Sequence, residues 1–127
     1  MSGIVLKPII RIDVSNDLGQ AQRIGRGKIQ LLELIKETGS ISSAGRAMNM
    51  SYRRAWMLVN AMNTMFSKLV VDSQRGGKHG GGAIVTPFGE ELIAQFRIME
   101  QQLALAIEPQ MLWLRENLNE TLNTAQD

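Results

Sequence analysis

Residues 51–56, Ser-Tyr-Arg-Arg-Ala-Trp, gather two guanidinium groups, a phenol and an indole within two turns of a helix. An arginine at such a place can donate two parallel hydrogen bonds to guanine O6 and N7. Either Arg53 or Arg54 can fill that role. Tyr52 and Trp56 can cover a thymine methyl or pack on a sugar. Ser51 and Ser42 can hold phosphate with hydroxyls and with the amides of a helix N-terminus. A solvated outer face of an amphipathic helix accounts for Arg53 and Arg54, but not for Tyr52 and Trp56 on its polar side. Trp56 has a second place open to it, the rim of the core.

A second group of cations, Arg75, Lys78 and His79, lies among five glycines in 75–82. Such a loop can follow a phosphate backbone or enter a minor groove. The plainer reading is a hairpin tip with solvated charges.

Catalysis finds no support. His79 is the one histidine, and there is no cysteine. A Ser/His/Asp set and a thiolate metal site both fail on that count. Gly25-Arg26-Gly27-Lys28 lacks the spacing and the hydroxyl residue of a nucleotide loop. Glu90 and Glu91 are adjacent, so on a helix they point apart and suit its N-terminal dipole. No enzyme activity, catalytic residue, cofactor or metal is expected.

These side chains need elements to hold them. Residues 4–14 are rich in β-branched types and predict an N-terminal strand, with Pro8 confining its start to an edge. Asn16, Asp17 and Gly19 mark a turn. From about Arg23 a broad apolar stripe, Ile29, Leu32 and Ile35 with Leu31 and Leu34, predicts a helix that Gly39 stops. Ser40 caps the next helix, and Ala44 and Ala47 permit close helix contact. Asn49 takes the corner in a left-handed conformation. Ser51 opens the third helix, whose inward stripe is Ala55, Val59, Met62 and Met65 or Phe66. Residues 39–66 therefore read as a helix-turn-helix.

A strand over 69–74, the glycine-rich loop 75–82 and a returning strand over 83–86 predict a hairpin wing. Thr86-Pro87 starts a long helix. Its stripe is Leu92, Phe96, Met99, Leu103 and Ile107, and Pro109 breaks or kinks it. A second apolar set holds Met111, Leu112, Trp113, Leu114 and Leu118. These helices exceed what a small wing needs as cover, so Leu92, Phe96, Met99, Leu103, Ile107, Leu112 and Trp113 are expected to pair two subunits. The fold class is mainly α with a small β component. The organisation is a helix-turn-helix with its wing over 1–86 and a helical dimerisation arm over 87–127.

Charge agrees with this reading. The net charge of +2 hides an asymmetry: residues 23–78 carry ten basic and three acidic side chains, and residues 79–127 two basic and seven acidic. A polyanion would meet the middle of the chain and be repelled by its end. The absence of cysteine fits a reducing, cytoplasmic setting. There is no signal-type segment and no membrane-length apolar run.

Gly39-Ser40-Ile41-Ser42 through Ala47, then Ser51-Tyr52-x-x-Ala55-Trp56, then Asn60-x-Met62-Asn63, resembles the N-terminal domain of the bacterial ModE-type molybdate-responsive regulators. Thr86-Pro87-Phe88-Gly89 resembles the segment after the wing in those proteins and in LysR-type regulators. The match spans about residues 23–107. It implies a winged-helix DNA-binding domain, dimeric through its terminal helices and acting on transcription. The family's base-reading role carries over to Ser51, Tyr52, Arg53, Arg54 and Trp56. Full-length ModE-type proteins append molybdate-binding domains, whereas this chain ends at Asp127. A molybdate-type oxyanion effector therefore gains no support from the chain. The start at Met1 and the polar finish over 123–127 favour a natural short form.

The expected partners are double-stranded DNA and a second copy of the chain, with no membrane. The alternative is a protein–protein adaptor that binds its partner through the acidic, methionine-containing last helices.

Overall fold

The structure is a computed structural model that describes residues 3–77 and 80–123. The chain first runs without regular structure as far as Ile10, and half-buried Ile4, Leu6, Pro8 and Ile10 alternate with exposed neighbours. A strand β1 (Arg11–Ser15) follows and pairs antiparallel with β2 (Ala21–Gly25). The turn between them is built by Asn16, whose Oδ1 accepts from the amides of Leu18 and Gln20 at 3.0 and 3.1 Å. Gly19 supplies the positive φ of 80° that this turn demands.

The expected strand over 4–14 is thus shorter and later, because only residues from Arg11 onward find a ladder partner. Its partner β2 was not expected. The helix expected from about Arg23 begins at Arg26, since Arg23 and Ile24 are still paired with Asp13 and Ile12.

Helix α1 (Arg26–Thr38) runs through the middle of the core and buries Ile29, Leu31, Leu32 and Ile35. Gly39 stops it in the left-handed region, φ 71°, and returns its amide to the Ile35 carbonyl at 2.7 Å. Helices α2 (Ile41–Ala47) and α3 (Tyr52–Met65) follow, then β3 (Val71–Gly77) and β4 (Gly80–Val85), which form a second antiparallel hairpin. The loop expected over 75–82 is mostly ladder: Gly77 lies opposite Gly80, with an irregularity between Gln74 and Gly77. Strand pairing here overrides the poor β-propensity of glycine.

Helix α4 (Pro87–Ala106) opens as expected. The Thr86 hydroxyl accepts from the Gly89 amide at 2.9 Å and donates to the Leu69 carbonyl at 2.6 Å. Gly89 is required here, because a Cβ would run into the Val70 carbonyl oxygen. The chain breaks at Ile107, and Pro109 sits in the first turn of α5 (Glu108–Asn117). A 3-10 turn, Glu120–Asn123, ends the described chain.

Phe96 of α4, Met62 of α3, and Val70, Val71, Ala83 and Val85 of the hairpin close on α1 in one core. Full burial of Phe96 contributes on the order of 1.5–3 kcal/mol. Phe96 is sealed inside this chain, so it leaves the set of residues expected to meet a second subunit. An i, i+4 stripe has room for both duties, and α4 uses its first half for its own core. Arg97 then ties α4 to α1, donating to Glu33 at 2.6 and 3.1 Å and to Glu100 at 2.8 Å. These hydrogen bonds, to Glu33 above all, hold the guanidinium firmly protonated. The group is partly exposed, so the stability it adds is modest. Among the described residues, no helix is long and apolar enough to cross a membrane.

Candidate nucleic-acid interface

The two helices that would present a reading face are fixed at their corner by backbone chemistry. The Ser40 hydroxyl accepts from the Ser43 amide at 3.0 Å and so caps α2. Asn49 takes φ 57°, and the amides of Met48, Asn49 and Met50 close onto the carbonyls of Gly45 and Arg46 at 3.0 Å. Ser51 then caps α3 by accepting from the Arg54 amide at 3.1 Å. The close contact between the helices is made by Gly45, where a Cβ would lie 2.9 Å from that of Ala55. Ala47, expected in that role, is exposed, while Ala44 is buried.

The inward face of α3 carries Ala55, Val59 and Met62, all buried. The opposite face presents Tyr52, Arg53, Trp56 and Met57 to solvent. Tyr52 is 57% and Trp56 45% exposed. Of the two places open to Trp56, it therefore takes the outer face rather than the core rim. Together with Met57 the two rings form an exposed apolar patch on the same face as Arg53.

Asn63 locks this helix to the β3–β4 hairpin. Its Oδ1 accepts from the amides of Val70 and Val71 at 2.7 and 3.1 Å, and its Nδ2 donates to the Val71 carbonyl at 3.0 Å. The Ala83 amide donates to the Gly39 carbonyl at 2.9 Å, so β4 is also pinned to the corner before α2. The hairpin and the outer face of α3 are thus held by one rigid frame. Arg75 lies on β3 beside that frame, while Lys78 and His79 fall outside the described residues.

Ser42 is half-buried, and its hydroxyl accepts from Arg46 at 2.9 Å, while the Ser43 hydroxyl accepts from the same guanidinium at 3.2 Å. Arg46 is therefore oriented on α2, which residue types alone did not reveal.

Two open grooves flank the start of α3. One, of about 330 Å³, is lined by Lys28, Ser51, Arg53, Arg54 and Met57 among others. The other, of about 280 Å³, is lined by Arg11, Arg23, Lys28, Arg54 and Met50 among others. Lys28 donates to the Arg23 carbonyl at 2.6 Å. Partial burial, and then the charge of Arg23, lower its pKa below the usual lysine value. Arg23 and Lys28 counted in sequence toward the basic segment 23–78, whereas Arg11 lies before it and gave no sign of joining them. Among the described residues, no cluster of His, Asp or Glu has the make-up to hold a metal ion.

On the α4–α5 arm, Leu92, Met99, Leu103 and Ile107 are half-buried. Leu105, Leu112 and Trp113 are exposed, Trp113 by 62%.

No family model matches the chain. It is 46% identical over 82 residues to the molybdenum-pterin-binding protein MopB of Rhodobacter capsulatus, a match covering 65% of this chain and 30% of that protein. It is 32% identical over 112 residues to the molybdenum transport protein ModE of Azotobacter vinelandii, covering 88% of this chain and 39% of the relative. A third relative, the DNA-binding transcriptional dual regulator ModE of Escherichia coli K12, is 38% identical over 74 residues, 58% of this chain and 28% of its own. The chain spans about a third of the length of the curated relatives it matches. Over most of its residues, this chain is similar to the ModE and Mop proteins.

Proposed function

We propose that the chain is a dimeric, sequence-specific DNA-binding transcription regulator of the winged helix-turn-helix type. The observation that carries this reading is the exposed face of Tyr52, Arg53, Trp56 and Met57 on a helix whose other face is sealed in the core. Residues 51–66 enter the major groove, where Arg53 or Arg54 meets a base edge. The wing over 75–82, with Arg75, Lys78 and His79, lies on the backbone or in the minor groove. Ser51 and Ser42 contact phosphate. The reader spans 1–86. The arm over 87–127 pairs two copies through its exposed apolar residues, Leu112 and Trp113 foremost, supported by Leu92, Met99, Leu103 and Ile107. A relative bearing the name of a DNA-binding transcriptional regulator supports the same reading. The work belongs in the cytoplasm.

The test is fluorescence anisotropy on DNA duplexes. Arg53→Ala should lose about 1–3 kcal/mol, roughly fivefold to more than a hundredfold in affinity, and relax preference at one base pair. Unaltered affinity and preference in both Arg53→Ala and Arg54→Ala would remove the base-reading role of α3.

A second reading, a protein–protein adaptor, is favoured by the exposed Leu105, Leu112 and Trp113 of the arm. Salt separates the two: phosphate contacts weaken steeply as salt rises, and an apolar interface barely responds.

A further inference from the structure

We infer that the β1–β2 hairpin and the start of α1 form an additional contact surface for the DNA backbone, a cationic groove that takes phosphates flanking the recognition helix. This rests on the reading of α3 as a duplex-binding helix.

The two grooves beside α3 share Lys28 and Arg54, so they form one continuous surface. Three elements supply its charges: Arg11 and Arg23 from the hairpin, Lys28 from α1, and Arg53 and Arg54 from α3. Arg11 is matched by Asp13 at 3.1 Å. Arg23, Lys28, Arg53 and Arg54 make no ion pair among the described residues. The chain does pair cations elsewhere, Lys36 with Glu90 and Arg97 with Glu33 and Glu100. Asp13, opposite Arg23 in the β1–β2 ladder, serves Arg11, and gathering Arg23, Lys28, Arg53 and Arg54 without an ion pair is unfavourable for the free protein. Lys28 carries part of that cost: burial of its ammonium comes first, and the charge of Arg23, to whose carbonyl it donates at 2.6 Å, comes second. An anion in the groove would reverse the sign of that interaction.

The shape of the site selects the kind of anion. A small oxyanion is held by donors that surround it, whereas this groove is open and is lined by Met48, Met50 and Leu58 as well as by cations. A row of cations on an open surface matches the row of charges on a nucleic-acid strand. Ser51 and Arg53 continue the same groove onto the reading face of α3. A duplex seated on α3 would therefore bring its backbone past the hairpin. The hairpin and α1 part of this surface, Arg11, Arg23 and Lys28, is assigned to the backbone and adds no base preference, unlike the reading face of α3.

The experiment measures duplex affinity of the full chain against salt, with a fluorescent mixed-sequence DNA duplex as probe. Each phosphate contact adds about 0.9 to the slope of log affinity on log salt. Arg23→Gln should lower the slope by about 0.9, and Arg23→Gln with Lys28→Gln by about twice that, weakening all sequences alike. Arg23→Lys should keep the slope, and Arg115→Gln on α5 should leave it unaltered. Arg23 is exposed, so its single variant tests the surface even if the double variant folds poorly. A normal wild-type slope that both glutamine variants preserve overturns the inference and leaves the proposed function standing. A wild-type chain that binds no duplex overturns both. Titration with inorganic phosphate, followed by amide chemical shifts, gives the remaining arm. Saturable submillimolar binding at residues 23, 28 and 54 would mark a small-oxyanion site and overturn the backbone assignment.

Discussion

Asn63→Ala should cost this protein much of its stability, although the residue is polar and only half-buried. Its side chain makes three hydrogen bonds to the backbone of Val70 and Val71. Both valines are buried, so water has poor access to the amides and carbonyl left behind. At about 1 kcal/mol net for each bond, the loss is roughly 3 kcal/mol. Water entering the vacated space lowers that toward 2, and amides left unsatisfied raise it toward 4. Domains of this size are typically stable by about 5–15 kcal/mol, so the change is large. Urea unfolding with an unchanged slope would measure it. Asn60→Ala, one turn earlier on the exposed face of the same helix, is the control and should stay within about 0.5 kcal/mol of wild type. Hydrogen exchange at the Val71 amide should accelerate in the Asn63 variant, because the clamp holds β3 to α3. If the two variants unfold at the same urea concentration, the clamp does not hold the hairpin as described.

Three further expectations follow from the arm, the groove and the family likeness. Trp113→Asp should convert a dimer to a monomer in sedimentation equilibrium without disturbing helix content, since Trp113 is exposed within the chain; identical sedimentation would remove the arm from the interface. Lys28 has a folded-state pKa below its unfolded value of 10.5, so its penalty is present at neutral pH and fades as pH rises toward that value. Wild type should therefore gain stability on Lys28→Gln across that alkaline window, and a constant difference would contradict the desolvated ammonium. Molybdate or tungstate should leave the thermal midpoint of the chain unchanged, whereas a raised midpoint would reveal a bound oxyanion.

Local chemistry was the part of this fold that could be read from residues. Ser40, Ser51 and Thr86 cap their helices, Gly39 and Asn49 take left-handed conformations, and Ile107–Pro109 interrupts the last helix, all through contacts within a few residues. Strand pairing was less visible. Ala21-Gln-Arg-Ile-Gly25 buries Ile24 alone, so β2 lacks the alternation that marks a strand, and its partner makes it one. Residues 5–10 alternate in burial, not in residue type, and the β1–β2 ladder starts only at Arg11. The glycines of β3 and β4 look like loop, and the pairing of Gly77 with Gly80 overrides that preference.

The candidate site divides the same way. The outward display of Tyr52, Arg53 and Trp56 follows from helical spacing against Ala55, Val59 and Met62. The stripe through Phe96 could not reveal which half of α4 closes its own core. Asn63 reaches residues seven and eight positions on, and Arg23 with Lys28 meets Arg54 only through the fold. Such meetings depend on tertiary structure, for which neighbouring residues carry no signal.

Selection of bound duplexes from a random DNA library tests the central claim most directly. The account predicts an enriched inverted repeat whose half-sites lie about 10–10.5 base pairs apart, or a multiple of that. One base pair in each half should lose its preference when the selection is repeated with Arg53→Ala. Recovery of DNA with no enriched sequence would show that the exposed face of α3 does not read bases.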